Sequence, residues 1–326
     1  MLNNSDYPWR KVFLVFSLGF AASVILLAVS FFTHLTRFEA NPKASFHWPY
    51  YLYISPRARQ KASKGEPMTI LVMPNNTNGT SDEFAAHDRF AVLNAVLGRV
   101  AFNQLDTVIL VPVFPRPESH WQIYTHALDR ESLTTDIPDL QRLDLQLEAM
   151  IDDAIMRLSD RNWDVGDKVL LWGFSASGMF VNRFTVLHPE RVRAVAIQSP
   201  GGWPIAPVKT WQGTCLRYPI GVCDLLELTG VEFDLETYQS VPHFILMGAQ
   251  DGNDSVPHND GYEDEDEALI FEMFGTTPIE RWDDAKKIYL STGINAEFKL
   301  YPGIGHRPAG LSDVCKFFEE TLYTEP

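Results

Sequence analysis

The sequence predicts an α/β protein with a mostly parallel, doubly wound sheet, helices on both faces, and an N-terminal transmembrane helix ahead of it. Three observations carry that reading. Short apolar runs rich in β-branched and aromatic residues alternate with longer segments of 3.6-residue periodicity, as expected for buried parallel strands joined by covering helices. Chemically distinctive residues fall just after several of those runs, where doubly wound sheets hold their ligands. Residues 12–32 carry no charge over 21 positions, which as a helix is about 31 Å, close to the hydrocarbon thickness of a bilayer.

The flank 1–11 ends in Arg10 and Lys11, directly before the apolar run 12–32. That run reads as a transmembrane helix or signal anchor; Ala28-Val29-Ser30 offers a cleavage site, so secretion after signal cleavage is the alternative. Arg37 and Lys43 on the far side balance the first pair, so the positive-inside rule leaves the orientation open, and the body is expected outside the cytoplasm. A linker over 33–45 then leads into a single domain, 46–326. Strands are expected at 50–55, 68–74, 106–114, 168–174, 193–198, 243–248 and 296–302. Helices are expected at 83–100, 140–158, 176–187, 277–290 and 310–322. In 140–158, Leu140, Leu143, Leu147, Met150, Ile151, Ala154 and Leu158 share one face, with Pro138 near the first turn. Thr277-Pro278-Ile279-Glu280 has the capping-box pattern that opens a helix.

Residues 200–240 read as an irregular insertion. Cys215 and Cys223 lie eight positions apart there; they form either a disulfide contributing about 2.5 kcal/mol or two buried thiols. Cys315 falls in the last helix as a small core residue. The formal charge of −15 and a pI near 5.0 exclude a nucleic-acid partner, because phosphate binding needs a basic surface. No C-x-x-C or His/Cys cluster suggests a metal. No G-x-G-x-x-G follows an early strand, so no dinucleotide cofactor is expected.

Three residue types converge on one chemistry. Ser175 follows the run 168–174, Asp251 follows 243–248, and His306 follows 296–302. A serine hydroxyl is a poor nucleophile, so a histidine must take its proton and a carboxylate must hold the imidazole in the right tautomer. Ser175, His306 and Asp251 are the candidates for those roles. Asp254, in the same loop, is the alternative acid, and His258 reads as an exposed polar residue.

In these residues and their chain order the sequence resembles the α/β-hydrolase superfamily, from about residue 50 to the end, and within it the esterase and polyester-depolymerase-like branch. Gly173-Phe174-Ser175-Ala176-Ser177 matches the nucleophile elbow, except that Ser177 stands where that motif has its second glycine and Gly178 follows. The resemblance implies a serine hydrolase that cleaves a small-molecule carboxylic ester through an acyl-enzyme, without a cofactor. It also implies an oxyanion hole from the backbone N–H of Ala176 and of Asn76 or Thr77. A peptidase or amidase on the same fold is the enzymatic alternative. A binding protein that has lost catalysis is the other class, and its mark would be a missing triad member. Trp203, Trp211 and Tyr218, in the insertion, either line a substrate pocket or form the insertion's own core.

Overall fold

The computed structural model describes residues 34–76 and 79–323. The apolar run 12–32 and Thr77 therefore lie outside the described residues; among those described, no helix is long and apolar enough to cross a membrane.

Among the described residues ten strands are formed: β1 Leu35–Phe38, β2 Tyr50–Ile54, β3 Ile70–Val72, β4 Val108–Pro112, β5 Val169–Phe174, β6 Val192–Gln198, β7 Thr210–Trp211, β8 Thr214–Cys215, β9 His243–Gly248 and β10 Ala296–Tyr301. Eight of them make one sheet in the order β1-β2-β4-β3-β5-β6-β9-β10. β1 and β2 pair antiparallel at one edge, and every pairing from β4 to β10 is parallel. The strand sequences explain the layering. β2, β3, β4 and β9 are buried at every position, because helices cover both faces and leave no solvent side.

One face packs on the helices Leu143–Ser159 and Ala176–Leu187, through Leu147, Met150, Ile151, Phe180 and Phe184. The other packs on Phe84–Phe102 and Leu311–Tyr323, through Ala91, Ala95, Phe102, Val314 and Phe318. The helix Pro278–Ser291 begins with the expected capping box, in which Thr277 and Glu280 exchange side-chain and backbone bonds.

Two expectations are corrected. Residues 33–45 are not a linker: β1 lies within them and hydrogen-bonds β2. Its four residues, Leu-Thr-Arg-Phe, include a charge and only partial burial, as an edge strand tolerates, so no apolar run announces it. The expected helix 140–158 starts at Leu143, because Arg142 has φ +49° and the chain cannot be helical through it. Leu140 is still buried, from the turn before the helix.

The insertion 200–240 is more ordered than expected. It contains the β7–β8 hairpin and the short helices Leu225–Thr229 and Leu235–Ser240. Cys215 and Cys223 form a disulfide. Closing this short loop is expected to stabilise the fold by about 2.5 kcal/mol. Replacing both cysteines by serine should lower the urea-unfolding free energy by about that amount, and an unchanged midpoint would mean the hairpin opens independently of the body.

Candidate active site

The turn after β5 is built from contacts that only small residues allow. Ser175 donates its backbone N–H to Gln198 O at 3.0 Å, and its carbonyl accepts the first bond of the following helix from Met179 N. Between these it is held at φ +60° and ψ −127°, a conformation costing about 1–3 kcal/mol for a residue with a Cβ. A Cβ at Gly173 would lie 2.0 Å from the Ser177 carbonyl oxygen, and one at Gly178 would lie 2.6 Å from that of Gln198. The glycine that lets helix and strand touch is thus Gly178, one position later than the usual motif.

Ser177 has a different task. Its hydroxyl accepts from Phe174 N–H at 3.0 Å and donates to Phe174 C=O at 2.9 Å. The same carbonyl accepts from the Asn76 carboxamide at 3.3 Å. The last residue of β5 is therefore fixed by two side chains directly before the candidate nucleophile.

His306 has the longest route. β10 is three strands from β5 in the sheet, about 14 Å at ordinary strand spacing, and the five residues after Tyr301 span at most about 17 Å. The loop must run almost straight across the strand ends. It passes over Gly248, where a Cβ would sit 2.3 Å from Ile304 O and 2.7 Å from Gly305 O, and it is tied down by Gln250 N–H to Ile304 O at 2.8 Å. The Gln198 side-chain amide secures its far end by donating to Ala309 O.

The imidazole reaches both partners. His306 Nε2 is 3.0 Å from Ser175 Oγ, and Nδ1 is 3.0 Å from each carboxylate oxygen of Asp251. The Phe174 ring packs on it at a centroid distance of 4.7 Å. The Asp251 side chain is 1% exposed and that of His306 25%. Burial opposes ionisation of Asp251, but bonds from His306 and Asn253 N–H help outweigh it and hold the carboxyl below its ordinary pKa. Asp251 is a carboxylate throughout the neutral range.

Asp254 is committed elsewhere. Its two oxygens accept from Arg281 Nη1 and Nη2, each at 2.9 Å, while its Oδ1 also caps Val256 N–H. His258 is exposed in the turn Val256–His258, on the wall of a cleft of about 430 Å³ that also includes Asp251, Gln250 and Thr277.

Ala176 opens the twelve-residue helix Ala176–Leu187 and is buried at the elbow. Asn76 stands at the end of the β3 loop, beside Phe174. Its neighbour Asn75 is a strut, since its carboxamide bonds both N–H and C=O of Phe114 and fastens the β3 loop to the β4 loop. Sequence reasoning missed Phe174, Asn75 and Gly248; the only available signal was their position immediately at strand ends.

The aromatic candidates divide. Trp203 is buried, donates to Ile220 O at 2.9 Å and stacks on Phe274. Tyr218 is buried and donates its hydroxyl to Leu128 O. Both are insertion core and cannot line a pocket, because their polar tips are already satisfied inside the fold. Trp211 is partly exposed on the β7–β8 hairpin, with the Lys287 ammonium 5.8 Å from its ring centre.

Glu148, His188 and Glu190 bring oxygen and nitrogen atoms close enough to hold a metal ion. The His188 nitrogens face Asp144 at 2.9 Å and Glu148 at 3.2 Å, and Arg191 lies 3.6 Å from Glu148. The group is an ion-pair network between the helix Leu143–Ser159 and the end of Ala176–Leu187.

No protein-family model and no curated protein matches the chain. Solved structures do. Poly(aspartic acid) hydrolase-1 from Sphingomonas sp. KT-1 superposes with a TM-score of 0.56 at 16% identity, over 86% of this chain and 97% of its own. LpqC, a poly(3-hydroxybutyrate) depolymerase from Bordetella parapertussis, gives 0.52 at 19% identity, over 83% of this chain and 84% of its own. At such identities the likeness speaks to architecture alone, and together with the strand order it shows that this chain has the α/β-hydrolase fold.

Proposed function

We propose that the chain is a serine hydrolase that cleaves a carboxylic ester through an acyl-enzyme. The observation that carries the reading is the single imidazole bridging Ser175 Oγ and the buried Asp251 carboxylate, 3.0 Å on each side.

In this mechanism Asp251 accepts Nδ1–H, so the Nε2 lone pair faces the serine. Ser175 Oγ attacks the ester carbonyl carbon while its proton passes to Nε2. The carbonyl oxygen becomes an oxyanion, met by Ala176 N–H at the start of its helix and by a second donor in the β3 loop, where Asn76 and Thr77 are the candidates. The imidazolium, stabilised by Asp251, then gives its proton to the departing alkoxide. Water repeats the attack on the acyl-enzyme with His306 as base, and the acid and free Ser175 are released. Every proton is returned, so the cycle needs no redox partner.

An ester is the easier substrate for such a site, because an amide carbonyl is more resonance-stabilised and an amine is the poorer leaving group. One structural neighbour's named substrate, poly(aspartic acid), is a polyanion. This chain carries a formal charge of −15, which repels such a polymer and favours a neutral ester. The Cys215–Cys223 disulfide supports a body facing an oxidising compartment.

With 4-nitrophenyl acetate and 4-nitroacetanilide as a matched pair, the ester should be the faster substrate, and Ser175→Ala should cost about 10⁶-fold in kcat. Undiminished ester hydrolysis in Ser175→Ala would sink the reading, while faster anilide turnover would make the enzyme an amidase. The two aspartates should separate. Asp251→Asn should lower kcat by about 10⁴-fold with little change in Tm. Asp254→Asn should leave kcat within about a few-fold yet remove about 3–5 kcal/mol of stability, by stranding the buried Arg281 guanidinium. The reverse pattern would exchange their roles.

A further inference from the structure

The ion-pair network around His188 carries more acid than its bases neutralise. His188 closes the helix Ala176–Leu187, and its side chain is 10% exposed. Among the described residues the network joins four carboxylates, those of Asp144, Glu148, Asp152 and Glu190, to two guanidinium groups, those of Arg142 and Arg191.

The imidazole at its centre is held from two sides. Nε2 is 2.9 Å from Asp144 Oδ2, and Asp144, fully buried, also accepts from Arg142 Nε and Nη2. A carboxylate held by a guanidinium is an acceptor, so Nε2 carries the hydrogen. The Phe184 ring packs on the imidazole at a centroid distance of 5.0 Å. The other nitrogen is thereby turned to two glutamates: Nδ1 lies 3.2 Å from Glu148 Oε2 and 3.9 Å from Glu190 Oε1. Of the three contacts only that of Nε2 has hydrogen-bond geometry.

With its hydrogen on Nε2, a neutral imidazole presents a lone pair at Nδ1, and a lone pair facing two carboxylates is repelled by both. A cation between them removes the repulsion. A second proton pairs Nδ1 with one glutamate at a time, whereas a metal ion takes all three donors together. The spacing favours the metal. The three donor atoms lie within 4.8 Å of one another, and around a tetrahedral zinc with bonds of about 2.0–2.1 Å neighbouring donors stand roughly 3.3–3.4 Å apart. Closing the set falls mainly to Glu190, whose side chain is 58% exposed. Arg191 does not compete, because it is bonded to Asp152 at 2.6 Å and approaches Glu148 through Oε1, the oxygen away from His188, at 3.6 Å. The buried Asp144 stands where metal-binding histidines place a carboxylate, accepting from the second nitrogen and fixing the ring. An imidazole beside two carboxylates suits zinc, while calcium and magnesium take oxygen donors.

We propose that Glu148 Oε2, His188 Nδ1 and Glu190 Oε1 bind a zinc ion, with water as the fourth ligand and Asp144 orienting the imidazole. The ion ties the helix Leu143–Ser159 to the turn Pro189–Arg191 and so fixes the far end of the helix that begins after Ser175. β6 starts directly after that turn and runs parallel to β5, so the zinc lies at the end of the sheet opposite Ser175 and stabilises the fold without entering the reaction.

The test uses the full chain in detergent, freed of metal with a chelator and titrated with zinc chloride at pH 7. Calorimetry should show one zinc per chain, and a hundredfold excess over Kd should raise Tm by about 5 °C. X-ray absorption should find nitrogen and oxygen neighbours at about 2.0–2.1 Å and no sulfur. Glu190→Gln, at an exposed position, should turn over aryl esters as before yet bind zinc at least about tenfold more weakly, and Glu148→Gln should weaken binding equally. A folded chain that binds no zinc overturns the proposal and leaves His188 an imidazolium. Unchanged affinity in either glutamate variant overturns it too, by placing the zinc elsewhere, on the Asp251–His306 pair or an exposed histidine such as His258. So does calcium binding of equal affinity, which would mean that the imidazole takes no part.

Discussion

The site depends on main chain approaching main chain more closely than any side chain permits. At Gly173 and Gly178 the missing Cβ atoms make room for the carbonyls of Ser177 and Gln198, and at Gly248 for those of Ile304 and Gly305. The first two contacts force the strand-to-helix reversal that holds Ser175 at positive φ with its hydroxyl projecting from the strand ends. The third lets the loop from the edge strand lie flat across its neighbour and deliver His306 from three strands away. A Cβ at any one of the three would meet main-chain atoms at under 3 Å, so the backbone there would have to move.

Electrostatics then sorts the groups that this geometry collects. Asp251 and Asp254 lie three residues apart, and the fold gives each a different partner. Asp251 is buried against His306 and stays ionised because hydrogen bonds outweigh its desolvation. Asp254 forms a two-point bridge with Arg281, whose side chain is 1% exposed, and so pins the acid loop to the helix Pro278–Ser291. One carboxylate orients the imidazole and the other orients the loop that carries the first. Ser177 and Asn76 play a similar supporting part at the other end, where both bind the carbonyl of Phe174.

Much of this was legible from residue order. Continuous apolar runs marked the central strands, because a doubly covered strand has no polar face, and the order Ser175, Asp251, His306 singled out three strand ends. β1 was not legible, since a four-residue edge strand with a charge looks like any polar segment. The start of the helix Leu143–Ser159 was misread because periodicity records which residues are buried, and Leu140 is buried from a turn. The choice between Asp251 and Asp254 depended on Arg281, 27 positions beyond Asp254 and invisible to any local pattern. Trp203 and Tyr218 were ambiguous for a related reason: an aromatic in an insertion reads the same whether its polar tip meets a substrate or a backbone carbonyl such as Ile220 O or Leu128 O.

The most direct measurement of the central claim is where a fluorophosphonate reagent, which reacts with activated serines and not with ordinary ones, attaches to the folded chain. One adduct per molecule is expected, located by peptide mass spectrometry on Ser175, and it should be lost in His306→Ala despite an unchanged circular dichroism spectrum. An adduct on another serine, or no adduct on a correctly folded chain, would contradict it.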